Sequence, residues 1–146
     1  MAADTLKLEI LTPSGPVGFG PEQEVEVAGV EIPGVLGELG ILPGHIPIVT
    51  PVVPGVVRFR AGDESIRLAV SNGFAEVSQD GRISILTDMV QRPDEVDTAE
   101  VKQELGEVEG ELKGRRDSIE GAEHVKLLRR QAWLQAQLRA AEAPAS

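Results

Sequence analysis

Cysteine is absent from this chain of 146 residues, and its aromatic residues are limited to three Phe and one Trp. Without cysteine the chain has no disulfide, no thiolate nucleophile and no cysteine-ligated zinc site. So few aromatic rings argue against a stacking surface for single-stranded nucleic acid. The sequence also lacks an apolar run of the roughly 20 residues that cross a bilayer. Its start lacks the basic and apolar regions of a signal peptide, so we expect neither a membrane span nor a secretory signal.

Basic residues are scarce relative to acidic ones. The chain has 14 Lys and Arg against 24 Asp and Glu, which gives a formal net charge of −10. A surface of this sign repels phosphate backbones and anionic lipid head groups. We therefore do not expect nucleic acid as a partner.

Alternating apolar and polar residues are typical of the first ninety positions. Leu6, Leu8 and Ile10, for example, alternate with charged residues. Alternation with a period of two places one face of a strand in a core and the other in water. Turn-forming pairs such as Pro33-Gly34 separate the runs. Short strands punctuated in this way predict an antiparallel β-sandwich or flattened barrel over residues 1–90.

The pattern changes after Pro93, because no further proline occurs before Pro144. Apolar residues then recur with helical spacing in two stretches, and the segment from Gly114 to Gly121 can hold a turn. This pattern predicts an antiparallel helical hairpin over residues 91–146, with helices at about 95–113 and 119–141. The residues that carry the helical spacing are Val101, Leu105, Val108, Leu112, Leu127, Leu134 and Leu138.

The two predicted helices differ in charge. Carboxylates dominate the first helix, whereas the second helix and the turn before it are basic. In one interpretation, two solvated faces are joined by weak ion pairs worth about 0–1 kcal/mol each. In the other, the basic helix leaves its partner and contacts an acidic surface elsewhere. Both interpretations remain open.

Three glycines recur every four residues in the first helix and therefore share one side of it: Gly106, Gly110 and Gly114. Each glycine costs a helix interior about 1 kcal/mol relative to alanine. The stripe either packs closely against the second helix or the sandwich, or it weakens the helix enough for it to refold or extend. We favour close packing.

A long and specific motif lies in the first half of the chain. Residues 37–50 read G-E-L-G-I-L-P-G-H-I-P-I-V-T, and residues 71–77 read S-N-G-F-A-E-V. These segments resemble the G-E-L-G-I-x-P-G-H-x-P-x-x-T and S-G-G-x-x-E-V signatures of the ATP synthase epsilon family. The resemblance covers nearly the whole chain, including the change from strands to helices.

This resemblance implies a non-catalytic central-stalk subunit of a proton-translocating ATP synthase. In that family the sandwich joins the gamma subunit to the polar loops of the membrane c-ring and rotates with both. The hairpin restrains ATP hydrolysis when it extends along gamma and meets the beta and alpha subunits. The implied location is the cytoplasmic face of the inner membrane, which the chain reaches only through the complex.

The resemblance also implies particular interface residues. It places Glu38 near the ring loops and His45 near gamma. For His45, a turn histidine bonded to the backbone is an equal alternative, and His124 matches no family role and is expected to be exposed. The implied ring and gamma interface comprises Glu38, Leu39, Gly40, Pro43, Gly44 and His45, and the implied regulatory basic helix contributes Lys126, Arg129, Arg130 and Arg139.

Many bacterial members of the family bind ATP in the hairpin through an [I/L]-D-x-x-R-A motif. This chain keeps the aspartate as Asp97 but has Glu100 at the arginine position, where a carboxylate repels phosphate oxygens. Asp97 and Glu100 are better explained as a capping box at the start of the first helix. We therefore expect no bound cofactor. If ATP did bind, Asp97, Arg115 and Arg116 are the residues expected to hold it.

Catalytic motifs are missing as well. The chain has no G-x-x-x-x-G-K-[S/T] phosphate loop, and its two histidines are far apart in sequence without a neighbouring metal-binding cluster. We expect no active site in this chain. An independent enzyme and a generic sandwich-plus-hairpin adaptor remain as alternatives, and association with gamma distinguishes both from a stalk subunit.

Overall fold

Two β-sheets followed by two α-helices make up the computed structural model of the chain, which describes residues 5–19, 23–114 and 121–142. The predicted order of a β-sandwich followed by a helical hairpin is confirmed. A short 3-10 helix covers Pro93–Glu95, and the α-helices are α1 (Thr98–Gly114) and α2 (Ala122–Glu142). The strands in these residues are β1 (Leu6–Thr12), β2 (Gly15–Pro16), β3 (Glu24–Val27), β4 (Val30–Gly34), β5 (Gly37–Ile41), β6 (Ile48–Val52), β7 (Gly55–Ala61), β8 (Glu64–Val70), β9 (Gly73–Val77), β10 (Arg82–Thr87) and β11 (Val90–Gln91).

Hydrogen bonding divides the strands into two sheets. The first sheet has the order β2-β1-β10-β9-β6, and β3 also pairs with β1. The second sheet has the order β11-β8-β7-β4-β5. The described pairs are antiparallel except for β1 and β10, which run parallel with Leu8 opposite Ile83. The antiparallel prediction is wrong at this pair. A two-residue hairpin would require antiparallel strands, but β1 and β10 come from distant parts of the chain, so their connection permits a parallel pairing.

Alternation along the strands places their apolar residues between the two sheets. Leu6, Leu8 and Ile10 of β1 are buried, with Ile83 and Ile85 of β10 beside them. Burial of a side chain of this size contributes about 1.5–3 kcal/mol. The second sheet closes the same core from the other side with Ile32, Ile41, Val57, Phe59 and Leu68.

Two buried hydroxyls tie together the loops at one end of the sandwich. The hydroxyl oxygens of Ser71 and Thr87 are 3.0 Å apart, and the Thr87 hydroxyl donates to the Ser71 carbonyl oxygen at 2.9 Å. The Met89 N–H donates to Ser71 Oγ at 2.9 Å. These bonds matter because a buried polar group left without a partner costs about 1–3 kcal/mol. The network therefore secures the segment that leads out of the sandwich.

The helix α1 begins three residues later than the predicted start at residue 95. Pro93–Glu95 forms a separate 3-10 helix, and Val96 after it is extended, with φ −84° and ψ 119°. The Glu100 N–H then donates to Asp97 Oδ1 at 3.1 Å. Asp97 therefore caps α1, as the sequence predicts.

The helix α2 connects the hairpin to the sandwich. Its residues Trp133, Ala136 and Ala140 pack against Val56 and Ala69 on the outer face of the second sheet. The other side of α2 packs on α1, so the layers follow the order α1, α2, second sheet, first sheet. Neither helix in the described residues is long and apolar enough to cross a membrane. The cluster between the helices is centred on Val101, Val108 and Leu134.

The glycine stripe of α1 faces away from the other described residues. A Cβ added at Gly106, Gly110 or Gly114 would meet no atom of the described residues within 4 Å. The expected close packing is therefore wrong. The apolar side of α1, which includes Val101 and Val108, turns toward α2, and the glycines lie on the opposite side. A helix weakened by exposed glycines is the interpretation that remains.

Candidate functional site

A row of apolar residues crosses the outer face of the first sheet. Pro51, Phe74, Leu86 and Leu11 lie in register across β6, β9, β10 and β1. We call these four residues the apolar row. Phe74 is 57% exposed and Leu86 is 48% exposed. Clustered apolar side chains that face solvent are typical of surfaces that bind another protein.

The neighbouring row on this face is mostly polar. Two residues further from that end of the sheet, the register joins Val49, Glu76, Ser84 and Glu9. The Ser84 hydroxyl donates to the Glu9 carboxylate at 2.7 Å. Because Glu76, Ser84 and Glu9 are polar, the apolar row is bounded along β9, β10 and β1, whereas the exposed Val49 continues the apolar surface on β6.

The alternation in the sequence did not predict the apolar row, because that pattern identifies the residues that face the core and not apolar residues that face outward. Ala75 and Val77 point into the core from β9, and Ile85 does so from β10. Phe74 and Leu86 therefore occupy outward positions, where alternation favours polar residues. An aromatic or aliphatic residue at such a position is the sequence signal that identifies this surface.

The turn between β4 and β5 presents a second exposed surface. Leu36 in this turn is fully exposed, at 102% of its reference area. Beside it, the Glu38 carboxylate forms an ion pair with Arg58, whose guanidinium lies 4.0 Å from Glu31. The Val53 N–H, just after β6, donates to the Pro33 carbonyl oxygen at 3.0 Å. This bond places the turn at the same end of the sandwich as the apolar row.

The predicted interface residues are distributed along β5 and the loop after it. Glu38 and Gly40 are exposed on β5, whereas Leu39 points the other way and packs against the sandwich core. Pro43 and Gly44 lie beyond β5, at the end opposite the β4–β5 turn, and Gly44 has a φ of +86°. That backbone conformation favours glycine. The predicted set therefore spans both ends of one strand.

His45 is bonded to its own loop. Its N–H donates to the Leu42 carbonyl oxygen at 3.0 Å, and its ring Nδ1 lies 2.7 Å from the Ile46 carbonyl oxygen. The alternative of a backbone-bonded turn histidine is confirmed. Its proximity to gamma stays a prediction of the resemblance.

The basic residues of α2 have different environments. Lys126, Arg129 and Arg139 are exposed, and Arg130 forms an ion pair with Glu104 of α1. A second pair between the helices joins Lys102 to Glu142 at 3.0 Å. The hairpin thus has the cross-helix ion pairs of the first interpretation, each partly exposed, and it also presents exposed basic side chains.

The structure describes only one of the three residues named for ATP binding. Asp97 serves as a helix cap, while Arg115 and Arg116 lie outside the described residues. The part of the chain that the structure describes contains no group of three or more His, Asp or Glu placed to hold a metal. His124, expected to be exposed, is half-buried in the first turn of α2.

Known proteins are similar to this chain over both halves. The family profile described as ATP synthase, Delta/Epsilon chain, beta-sandwich domain matches residues 5–93. The ATP synthase epsilon chain of Anoxybacillus flavithermus is 42% identical over 98 residues, covering 67% of this chain and 69% of the relative. The ATP synthase epsilon chain of Shouchella clausii is 36% identical over 131 residues, covering 90% of this chain and 88% of the relative.

A solved structure has the same fold. A chain in the cryo-EM structure of the Euglena gracilis mitochondrial ATP synthase (OSCP/F1/c-ring, rotational state 1) matches with a TM-score of 0.79 and 23% identity. The match covers 97% of this chain and 83% of that one. The profile match and the curated relatives together lead to one conclusion: this chain belongs to the ATP synthase epsilon family.

Proposed function

We propose that the chain is a joint in the rotor of a proton-translocating ATP synthase, where it couples the gamma subunit to the c-ring. The observation that carries this proposal is the apolar row on the sheet face opposite the hairpin. Removing apolar surface from water is favourable by about 25 cal/mol per Å². We assign the apolar row to gamma, because a permanent rotor contact requires apolar surface that the chain itself leaves uncovered.

We assign the c-ring to the β4–β5 turn. This turn offers the fully exposed Leu36 for apolar contact and the ion pair of Glu38 with Arg58 for polar contact. Such a surface can bind the polar loops of the c-ring. Because the turn and the apolar row share one end of the sandwich, a single end of the domain can bridge two partners. In this arrangement the complex holds the chain at the cytoplasmic face of the inner membrane.

We also propose that the hairpin restrains ATP hydrolysis. The contact of α2 with the sandwich involves one Trp and small alanines, so little apolar surface opposes its release. Once extended along gamma, exposed cations such as Lys126 and Arg129 would meet acidic segments of the beta and alpha subunits. A switch of this kind requires two arrangements that differ by only a few kcal/mol.

The gamma assignment is tested by co-purification of the chain with gamma. Phe74→Glu places a charge in the apolar row at an exposed position, so the sandwich should fold while gamma binding weakens at least about tenfold, given the desolvation cost of a buried charge. Leu36→Glu is the matched control, since Leu36 is an exposed apolar residue in the β4–β5 turn, which is assigned to the c-ring and not to gamma. Equal gamma binding by both variants would exclude the apolar row as the gamma surface.

The hairpin assignment is tested by ending the chain after Arg92. This position retains β11, whose Gln91 pairs with Ala69 in the second sheet. The shortened chain should assemble, and the complex should hydrolyse ATP faster than one with the full chain. An unchanged hydrolysis rate would remove the restraining role of the hairpin without affecting the gamma assignment.

A further inference from the structure

Arg67 of β8 reaches from the second sheet to the end of α2. Its Nε–H donates to the carbonyl oxygen of Ala140 at 2.6 Å in a half-buried site. The residue Ala140 is itself buried in the contact with Val56 and Ala69. One hydrogen bond between residues 73 positions apart therefore joins the sandwich directly to the hairpin.

The sequence of α2 makes the Ala140 carbonyl available to this donor. In an α-helix each carbonyl accepts from the N–H four residues later, which for Ala140 is position 144. Position 144 is proline and has no N–H. The carbonyl therefore lacks the usual partner from its own helix, and the partial negative charge of a helix C-terminus favours a cation there. Arg67 supplies both the donor and the charge.

The apolar part of the docking contact is small. Trp133 is 7% exposed and is the largest side chain in it, while the other buried apolar residues that the described part of α2 contributes are Ala136 and Ala140. Alanine side chains remove little apolar area from water, so Trp133 dominates the hydrophobic contribution. The hydrogen bond from the charged Arg67 to the Ala140 carbonyl therefore contributes a substantial share of the free energy that docks the hairpin on the second sheet.

We propose that Arg67 and the Ala140 carbonyl form a latch that keeps the hairpin docked on the second sheet, and that opening this latch releases α2. Its consequence for ATP hydrolysis rests on the function proposed above for the hairpin. The latch itself is a property of the isolated full chain and can be tested there.

The test is native-state amide hydrogen exchange of the full chain and its Arg67 variants. A hydrogen bond to a charged group shifts an equilibrium by about tenfold or more. Exchange of the α2 amides should rise with the undocked fraction, because a helix without tertiary packing opens its own hydrogen bonds more often. Arg67→Gln should raise exchange of the α2 amides from Trp133 to Ala140 about tenfold. Arg67→Lys should raise it less, because it keeps the charge but loses the planar fork. Exchange in β1 and β10 should not change in either variant.

Arg60→Gln is the matched control. Arg60 is exposed on β7, the neighbouring strand, and its loss removes the same charge from the same sheet. Equal exchange along α2 in the Arg67→Gln and Arg60→Gln variants would overturn the latch. Faster exchange confined to the last turn would also overturn it, because that result describes a frayed helix end on a hairpin that stays docked. If Arg67→Gln does not fold, the same comparison is made with Arg67→Lys.

Acrylamide quenching of Trp133, the only Trp in the chain, provides a second readout. Release of α2 exposes this side chain, so quenching should rise with the exchange rate, and unchanged quenching would contradict release. Hydrolysis by the assembled complex separates the latch from the proposed function. If Arg67→Gln speeds α2 exchange but hydrolysis stays the same, the latch stands and the restraining role of the hairpin fails.

Discussion

Gly106→Ala and Gly110→Ala test the interpretation that α1 is weakened by exposed glycines. An added Cβ at either position meets no atom within 4 Å in the part of the chain that the structure describes, so we expect neither substitution to have a steric cost. Replacing glycine by alanine in an exposed helix interior contributes about 1 kcal/mol. Each variant should raise the free energy of unfolding by about that amount, and the double variant by roughly twice as much.

Urea unfolding of the full chain, followed by helical circular dichroism, measures this change. Gly73→Ala is the control with the opposite expected effect, because a Cβ at residue 73 would lie 1.8 Å from the Leu86 carbonyl oxygen. Gly73→Ala should therefore destabilise the sandwich strongly. A loss of stability in Gly106→Ala would refute the reasoning, since it would mean that this glycine has a contact or backbone conformation that alanine disturbs.

Four further experiments have defined outcomes. Thr87→Val removes the hydroxyl that donates to the Ser71 carbonyl. It should lower the free energy of unfolding, measured in thermal melts, by about 1–3 kcal/mol. An unchanged free energy of unfolding would exclude a stabilising role for the hydrogen bonds between Ser71, Thr87 and Met89. Asp97→Ala removes the cap of α1 and should lower the free energy of unfolding by about 1 kcal/mol. Calorimetric titration of the unmodified chain with Mg-ATP should show no binding. Micromolar affinity for Mg-ATP would contradict the interpretation of Asp97 as a cap. A double-mutant cycle on Arg130 and Glu104 should give a coupling free energy of about 0–1 kcal/mol that falls with added salt. A larger coupling free energy that does not depend on salt would be inconsistent with an exposed ion pair.

Local patterns in the sequence predicted much of the fold. Alternation places Leu6, Leu8 and Ile10 in the core, and helical spacing places Val101 and Val108 between the helices, because both patterns depend on periods of neighbouring residues. The sandwich, the hairpin and the epsilon family are confirmed. Family membership makes the chain an accessory stalk subunit rather than a catalytic one.

Features that depend on distant residues were not predicted. The parallel pairing of β1 with β10 and the bond from Arg67 to Ala140 join parts of the chain that no local pattern relates. The orientation of the α1 glycines was assigned wrongly because the spacing indicates a shared side but not what that side faces. Pro144, in contrast, is a local signal, since it identifies the Ala140 carbonyl as an acceptor without its usual donor.

The boundary between the two halves remains a prediction at residues 90 and 91. The strand β11 ends at Gln91, and the family profile extends to residue 93. A chain that ends after Arg92 therefore keeps every described strand, which is why the truncation above is placed there. Ending the chain earlier would remove β11 and confuse loss of the hairpin with damage to the sandwich.

Side-chain footprinting of the chain, free and bound to gamma, tests the proposed rotor joint most directly. Phe74 and Leu86 are exposed in the free chain, so hydroxyl radicals should label both. Binding to gamma alone should protect both residues strongly, while labelling of Leu36 in the β4–β5 turn, which is assigned to the c-ring, stays constant. Labelling of Phe74 and Leu86 that remains unchanged in the gamma complex would contradict the assignment of the apolar row to gamma.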